Sequence, residues 1–156
     1  MTHEQMSLDD HIVAKIELLI RRPVAQVFDA FVNPDVITKF WFNRTSGPLV
    51  ADGSVKWFWD LYEASTTVRV LALEQDKRIY IEWDVDSDNP SRVEWTFEDR
   101  GADGTYVSVV NSGFDSDVND VIDQVVDSTG GFALVLAAAK AYLEHGVSLN
   151  IVADRF

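Results

Sequence analysis

The sequence predicts an α+β domain in which a curved antiparallel sheet wraps a long C-terminal helix, and three features carry that expectation. Between residues 49 and 113 apolar side chains recur at every second position, in segments separated by short turn-forming groups. From Phe132 to Leu143 they recur at helical spacing, with Gly146 placed to end the helix in a left-handed cap. Four of the five tryptophans fall on predicted strands, which gives the sheet an aromatic face.

Taken in order, the first element is a strand over residues 11–20, with Ile12, Ala14, Ile16, Leu18 and Ile20 in alternation. Pro23 then suits the start of a helix whose face is Val24, Val27, Phe28 and Phe31. Asn33 can cap a second short helix with Pro34 at its first position, and Val36, Ile37, Phe40 and Trp41 supply its apolar stripe. Strands follow at 54–60, 64–74, 78–85, 91–99 and 104–113. Their connections, Asp52-Gly53, Gln75-Asp76-Lys77, Ser87-Asp88-Asn89-Pro90 and Gly101-Ala102-Asp103-Gly104, are short enough to imply an antiparallel meander. The last third is helical in two stretches. The first is weak, at Val118, Val121, Ile122 and Val125; the second, from Phe132, is strong, and Gly130-Gly131 is expected to interrupt them. The second stretch, about 15 residues, spans ~22 Å and could cross the whole sheet.

A chain of 156 residues with 47% hydrophobic content builds one sizeable core, so residues 11–156 are expected to form a single domain preceded by a flexible segment at 1–10. No run approaches the roughly 20 consecutive apolar residues of a membrane span, and Met1 to Asp10 carries acids where a signal peptide would be basic and then apolar. A cytoplasmic protein without membrane insertion is the expectation, and the absence of cysteine fits a reducing compartment. The net charge of −13, with basic residues scattered apart from the pairs Arg21-Arg22 and Lys77-Arg78, argues against nucleic acid as a partner.

Motifs for chemistry are sparse. His3, His11 and His145 lie too far apart to form a metal pair at helical spacing. Asp84, Asp86 and Asp88, and again Asp115, Asp117 and Asn119, match the first ligand positions of an EF-hand loop. Both runs then fail at the glycine (Asn89, Asp120) and at the closing glutamate (Trp95, Val126). They are read as a polar turn and as the acidic start of a helix. Neither a Gly-x-Ser-x-Gly turn nor a phosphate-binding glycine loop occurs, and Glu82 with Asp84 is expected on the wet face of its strand. No metal, no cofactor and no catalytic residue is assigned.

What remains is aromatic. Val55, Trp57 and Trp59 share one strand face, as do Ile79, Ile81 and Trp83, and Val93, Trp95 and Phe97. A concave sheet so lined either packs solidly against the helix or leaves a pocket with a few polar handles, and sequence does not separate the two.

The residues Arg22-Pro23-Val24 leading to Val27-Phe28-Asp29-Ala30, then Phe40-Trp41, Asp52-Gly53, Gly104-Thr105, and the run from Gly130 through Leu143-Glu144-His145-Gly146, resemble one family in their order and spacing. It is the family named after the activator of Hsp90 ATPase, within the START-like or Bet v 1-like superfamily. One departure is Phe132, where many relatives carry tryptophan after glycine. The resemblance, covering nearly all of the chain from residue 11, implies a helix-grip fold with a cavity between sheet and long helix. On that basis a small hydrophobic ligand, a lipid or a polycyclic aromatic, is expected in the interior. Trp41 and Phe42 are expected near the mouth, Trp57, Trp59, Trp83 and Trp95 on the sheet, and Phe132, Leu136 and Ala139 on the helix. The resemblance leaves two alternatives: a module that contacts an Hsp90-type chaperone, and a cyclase or dehydratase using cavity-facing polar groups such as Tyr62, Thr105 and Asn111.

Overall fold

The computed structural model describes residues 12–114 and 117–155; the N-terminal segment at 1–10 and Asp115 of the second acidic run lie outside the described residues. The elements run β1 (Ala14–Ile20), α1 (Val24–Val32), α2 (Pro34–Ile37), β2 (Arg44–Thr45), β3 (Ser54–Trp59), β4 (Ala64–Glu74), β5 (Arg78–Trp83), β6 (Ser91–Asp99), β7 (Thr105–Ser112), α3 (Val118–His145) and α4 (Ile151–Asp154). Single 3-10 turns at Asp60–Tyr62 and Gly101–Asp103 bridge β3 to β4 and β6 to β7. The strands form one antiparallel sheet in the order β1-β7-β6-β5-β4-β3-β2, the first strand closing against the last with Ala14 opposite Asn111 and Ile20 opposite Thr105.

Alternation decides which face is buried. Along β6, Ser91, Val93, Trp95 and Phe97 are buried; along β7, Thr105, Val107, Val109 and Asn111 are buried; and the residues between them are more exposed. The outer face carries charge, as where Arg78 bridges Glu74 and Glu94. A shift of register between Val70 and Ala72 on the long strand β4 bends the sheet inward. The inner face then receives α1, whose Phe28 meets Phe97 edge-on at 5.4 Å and whose Phe31 meets Phe40 at 5.4 Å. Asn33 caps α2 as the sequence predicts, accepting from the Asp35 N–H at 2.9 Å.

Two expectations need correction, and one strand was not expected at all. β2 is only two residues long, too short to show a period, and forms because Arg44 and Thr45 pair with Phe58 and Trp57. β5 ends at Trp83 rather than at residue 85, because Asp84 takes a left-handed backbone (φ 54°) that extended pairing does not allow. Gly130-Gly131 does not interrupt the helix: α3 is continuous over 28 residues, ~42 Å. A helical glycine costs about 1 kcal/mol against alanine, and tertiary contacts outweigh it here. The Arg155 guanidinium lies where a Gly131 side chain would stand, its Nη1 2.9 Å from an ideal Cβ. By length and hydropathy α3 could cross a membrane, but Phe132, Val135, Leu136, Ala138, Ala139 and Leu143 are buried in the domain's core.

The basic pair Arg21-Arg22 fastens the C-terminal end of α3. Arg22 donates from Nε to the Leu143 carbonyl at 2.9 Å and from Nη2 to the Glu144 carbonyl, so a cation meets the negative end of the helix dipole. Glu144 accepts from the Arg21 N–H at 2.7 Å and from Lys140 Nζ at 2.6 Å, and Lys140 also donates to the Leu19 carbonyl at 2.7 Å. Burial pushes the Glu144 carboxyl up, but the Arg21 N–H, the Lys140 ammonium and His145 hold it below the ordinary glutamate value. A carboxyl depressed in the folded state stabilises above its unfolded pKa and loses that contribution as pH falls through the folded one. Glu144→Gln is therefore expected to cost ~1–2 kcal/mol at pH 7. The gap from wild type, read from urea midpoints, should narrow as pH drops below the usual glutamate range; a gap constant from pH 7 to 3 would contradict this.

Candidate functional site

Between the sheet and the middle of α3 lies a cavity of about 560 Å³. Its apolar walls are Trp41, Trp59, Trp83 and Phe132. Phe132 stacks on Trp83 at 5.5 Å, 27° between planes, and Trp41 meets Phe132 edge-on at 5.8 Å and Trp59 at 6.3 Å. On its helix side the cavity is bordered by Gln124, Asp127, Ser128, Gly131, Leu134 and Val135 of α3, with Arg155 standing over Gly131. The glycine pair makes room for the Arg155 guanidinium at the edge of that space.

The polar end is built from strand positions where alternation continues but the residue changes character. Asn111 follows Val107 and Val109 on the inner face, and Ser91 precedes Val93 and Trp95. Both are almost fully buried. Asn111 Nδ2 donates to Ser91 Oγ at 3.1 Å and to the Arg92 carbonyl at 2.7 Å, while its Oδ1 accepts from Ser128 Oγ at 2.8 Å. Trp83 Nε1 also donates to Ser91 Oγ, at 2.9 Å. Ser91 Oγ thus accepts twice, and its own proton meets no acceptor among the described residues.

Charge enters at the rim. Asp84, expected on the wet face, lines the cavity, because its left-handed backbone turns the chain out of the strand's alternation. Its Oδ1 accepts from Thr66 Oγ1 at 2.7 Å, and Thr66 Oγ1 in turn accepts from the Asp84 N–H at 2.8 Å. Asp86 accepts from Thr67 Oγ1 at 2.6 Å, and Asp117 caps α3 by accepting from the Asn119 and Asp120 N–H groups, so these carboxylates of the two acidic runs serve turns and a helix start. Arg155 Nη2 pairs with Asp127 Oδ1 at 3.0 Å across the opening.

Of the nine residues singled out from sequence, Trp41, Trp59, Trp83 and Phe132 border this cavity. Trp57, Trp95, Leu136 and Ala139 are fully buried behind it, and Phe42, stacked on Trp57 at 4.6 Å, borders a second cavity of about 330 Å³. Among the polar candidates, Tyr62 and Asn111 line the larger cavity, whereas Thr105 sits at the far end of β7, donating to the Arg22 carbonyl at 2.9 Å. Ser91 and Ser128 were not anticipated. The signal for Ser91 was present, a lone polar residue in phase with a buried run; Ser128, on a weakly periodic helix, gave none.

Fold and site together define a helix-grip domain of the Bet v 1-like type, with an aromatic-walled cavity between sheet and long helix. The chain belongs to the family described as activator of Hsp90 ATPase homolog 1-like protein, whose family profile matches residues 21–144. Solved structures of the same fold include the protein SSP2350 from Staphylococcus saprophyticus, 26% identical with a TM-score of 0.75 over 88% of this chain and 95% of that one. DynU16, a protein in the dynemicin biosynthetic locus, is 20% identical with a TM-score of 0.75; the match takes 88% of this chain and 49% of that one, so this chain spans about half of DynU16. The Aha1 dimer from Colwellia psychrerythraea is 17% identical with a TM-score of 0.75, over 86% of this chain and 98% of that one. The latter two likenesses are of fold alone. No curated protein matches the chain.

Proposed function

We propose that the protein binds a small, mainly apolar molecule with a flat ring in the larger cavity. The observation that carries this is the combination in one space of four aromatic walls with the hydrogen-bonded set Trp83, Ser91, Asn111 and Ser128. Its volume, about 560 Å³, lies within the range of ligand sites, roughly 300–1,000 Å³. Flat indole and phenyl walls favour a ring that can stack, and the few polar groups would fix its orientation. The family's fold, shared with a protein of a biosynthetic locus, supports a small-molecule ligand. Binding in the cytoplasm is part of the proposal. A chaperone partner rests on the family's description alone.

The test is titration with 2-naphthol, followed by tryptophan emission. Saturable quenching is expected for the wild type, and Trp83→Ala should weaken it about tenfold through loss of the stacking wall. Unchanged emission in the wild type, or equal affinity in the variant, would remove the reading.

A further inference from the structure

The second cavity shares a partition with the first. Trp41, Trp59, Tyr62 and Val152 border both spaces. The two are lined differently: the larger one ends on the buried Ser91–Asn111–Ser128 set, whereas the smaller one has Phe40, Phe42, Leu61, Leu149 and Ile151 as an apolar wall beside the polar Lys39, Asn43 and Ser148. Leu61 and Leu149 are 65% and 45% exposed, unusual for leucines beside a buried aromatic cluster.

Beside the rings of Trp41 and Trp59, the partition includes two short pieces of chain that meet through one side chain. Tyr62, in the 3-10 turn Asp60–Tyr62, donates its hydroxyl toward the carbonyls of Val152 (2.7 Å) and Ala153 (3.0 Å) in α4. Each piece borders a non-glycine residue in left-handed conformation, Glu63 (φ 52°) after the turn and Asn150 (φ 54°) before α4. Short, exposed segments of this kind open at the low end of a protein's local stabilities. The fixed wall behind them is Ala138 of α3, which borders the smaller cavity and is 3% exposed.

We propose that the two cavities are one binding site divided by the Tyr62–α4 latch, and that its ligand is an alkyl-aromatic molecule. This rests on the function proposed above and narrows the ligand class. Its ring lies between Trp59, Trp83 and Phe132, and a hydrogen-bond acceptor on the ring, a carbonyl or ether oxygen, takes the Ser91 proton. Its alkyl arm enters the smaller cavity when the latch opens. A ring alone fills the larger cavity and leaves the latch closed.

The experiment compares 4-ethylacetophenone with 4-octylacetophenone, which share the ring and carbonyl and differ in the arm, by calorimetry and stopped-flow tryptophan quenching. The octyl ketone is expected to bind the wild type about tenfold tighter or better, since its extra methylenes leave water. Ala138→Leu, which fills the smaller cavity, should cut the octyl affinity about tenfold and leave the ethyl affinity unchanged. Tyr62→Phe, at an exposed position, should raise both association and dissociation rates of the octyl ketone about tenfold, several times more than those of the ethyl ketone. Thermal midpoints verify that both variants fold, and Tyr62→Phe decides alone should Ala138→Leu not. Equal wild-type affinity for the two ketones, or variants that affect both alike or neither, overturns the divided site while ring binding stands. If the wild type binds neither ketone, ring binding and the divided site fall together.

Discussion

Gly104→Ala is expected to destabilise the protein by ~3 kcal/mol or more, seen as a fall in urea midpoint with little change in slope. Two independent effects add at this residue. Its backbone (φ 116°, ψ −144°) lies in a region essentially reserved for glycine. A side chain there would also stand 2.4 Å from the Ile20 carbonyl oxygen and 2.8 Å from the Arg21 Cα. Both obstacles are backbone, so no rotamer change relieves them. The close approach has a purpose: Gly104 opens β7 where Thr105 pairs with Ile20 and bonds the Arg22 carbonyl, beside the arginine pair that fastens α3. Gly101→Ala is the control, since it shares a positive φ (59°) but nothing lies within 4 Å of its Cβ. It should cost ~1 kcal/mol. Equal losses in the two variants would show that the approach to β1 contributes nothing.

Trp41→Ala should cost ~3 kcal/mol, at the lower end of the range for truncating a core aromatic. Trp41 follows α2 and is only partly buried, yet its ring lies within 5.1–6.3 Å of Phe42, Trp57, Trp59, Trp83, Trp95 and Phe132. Removing it thins the partition between the two cavities and takes a neighbour from each of those rings, so the loss is of dispersion as well as burial. Trp41→Phe keeps most of the contacts and should cost less than half as much. Chemical unfolding of the pair makes the comparison, and a loss below ~1 kcal/mol for alanine would place the ring's weight on the solvent side.

Much of this was legible in the sequence, for an identifiable reason. Alternation and helical spacing are local, so Val93, Trp95 and Phe97 declare a buried face wherever the strand goes. The same rule put Trp57, Trp59 and Trp83 on that face and set the bounds of β4 and β6. Asn33 was recognisable as a cap, because a cap satisfies N–H groups two or three residues away, and Asp117 as part of an acidic helix start, where the structure makes it the cap. Where a long-range contact overrides the local preference, sequence reading failed. β2 exists through its partner strand, and the glycine pair stays helical within contacts supplied by Arg155, 24 residues beyond Gly131. Asp84 points into the cavity because one left-handed residue resets the alternation and Thr66, from the neighbouring strand, holds it there.

The sequence by itself therefore determined the kind of sheet, the long helix against it and the aromatic face between them, since each follows from the period of neighbouring residues. Whether that face closes into solid core or leaves a space was decided only in three dimensions. The same indoles do both: Trp57 and Trp95 are packed away, while Trp59 and Trp83 border a cavity. Phe42 stacks on Trp57 and Phe31 meets Trp95, whereas Trp59 and Trp83 each keep part of their surface toward a space that α3 borders with Ser128 and Gly131. Empty volume is a property of two surfaces brought together from distant parts of the chain, and no single stretch of sequence contains it.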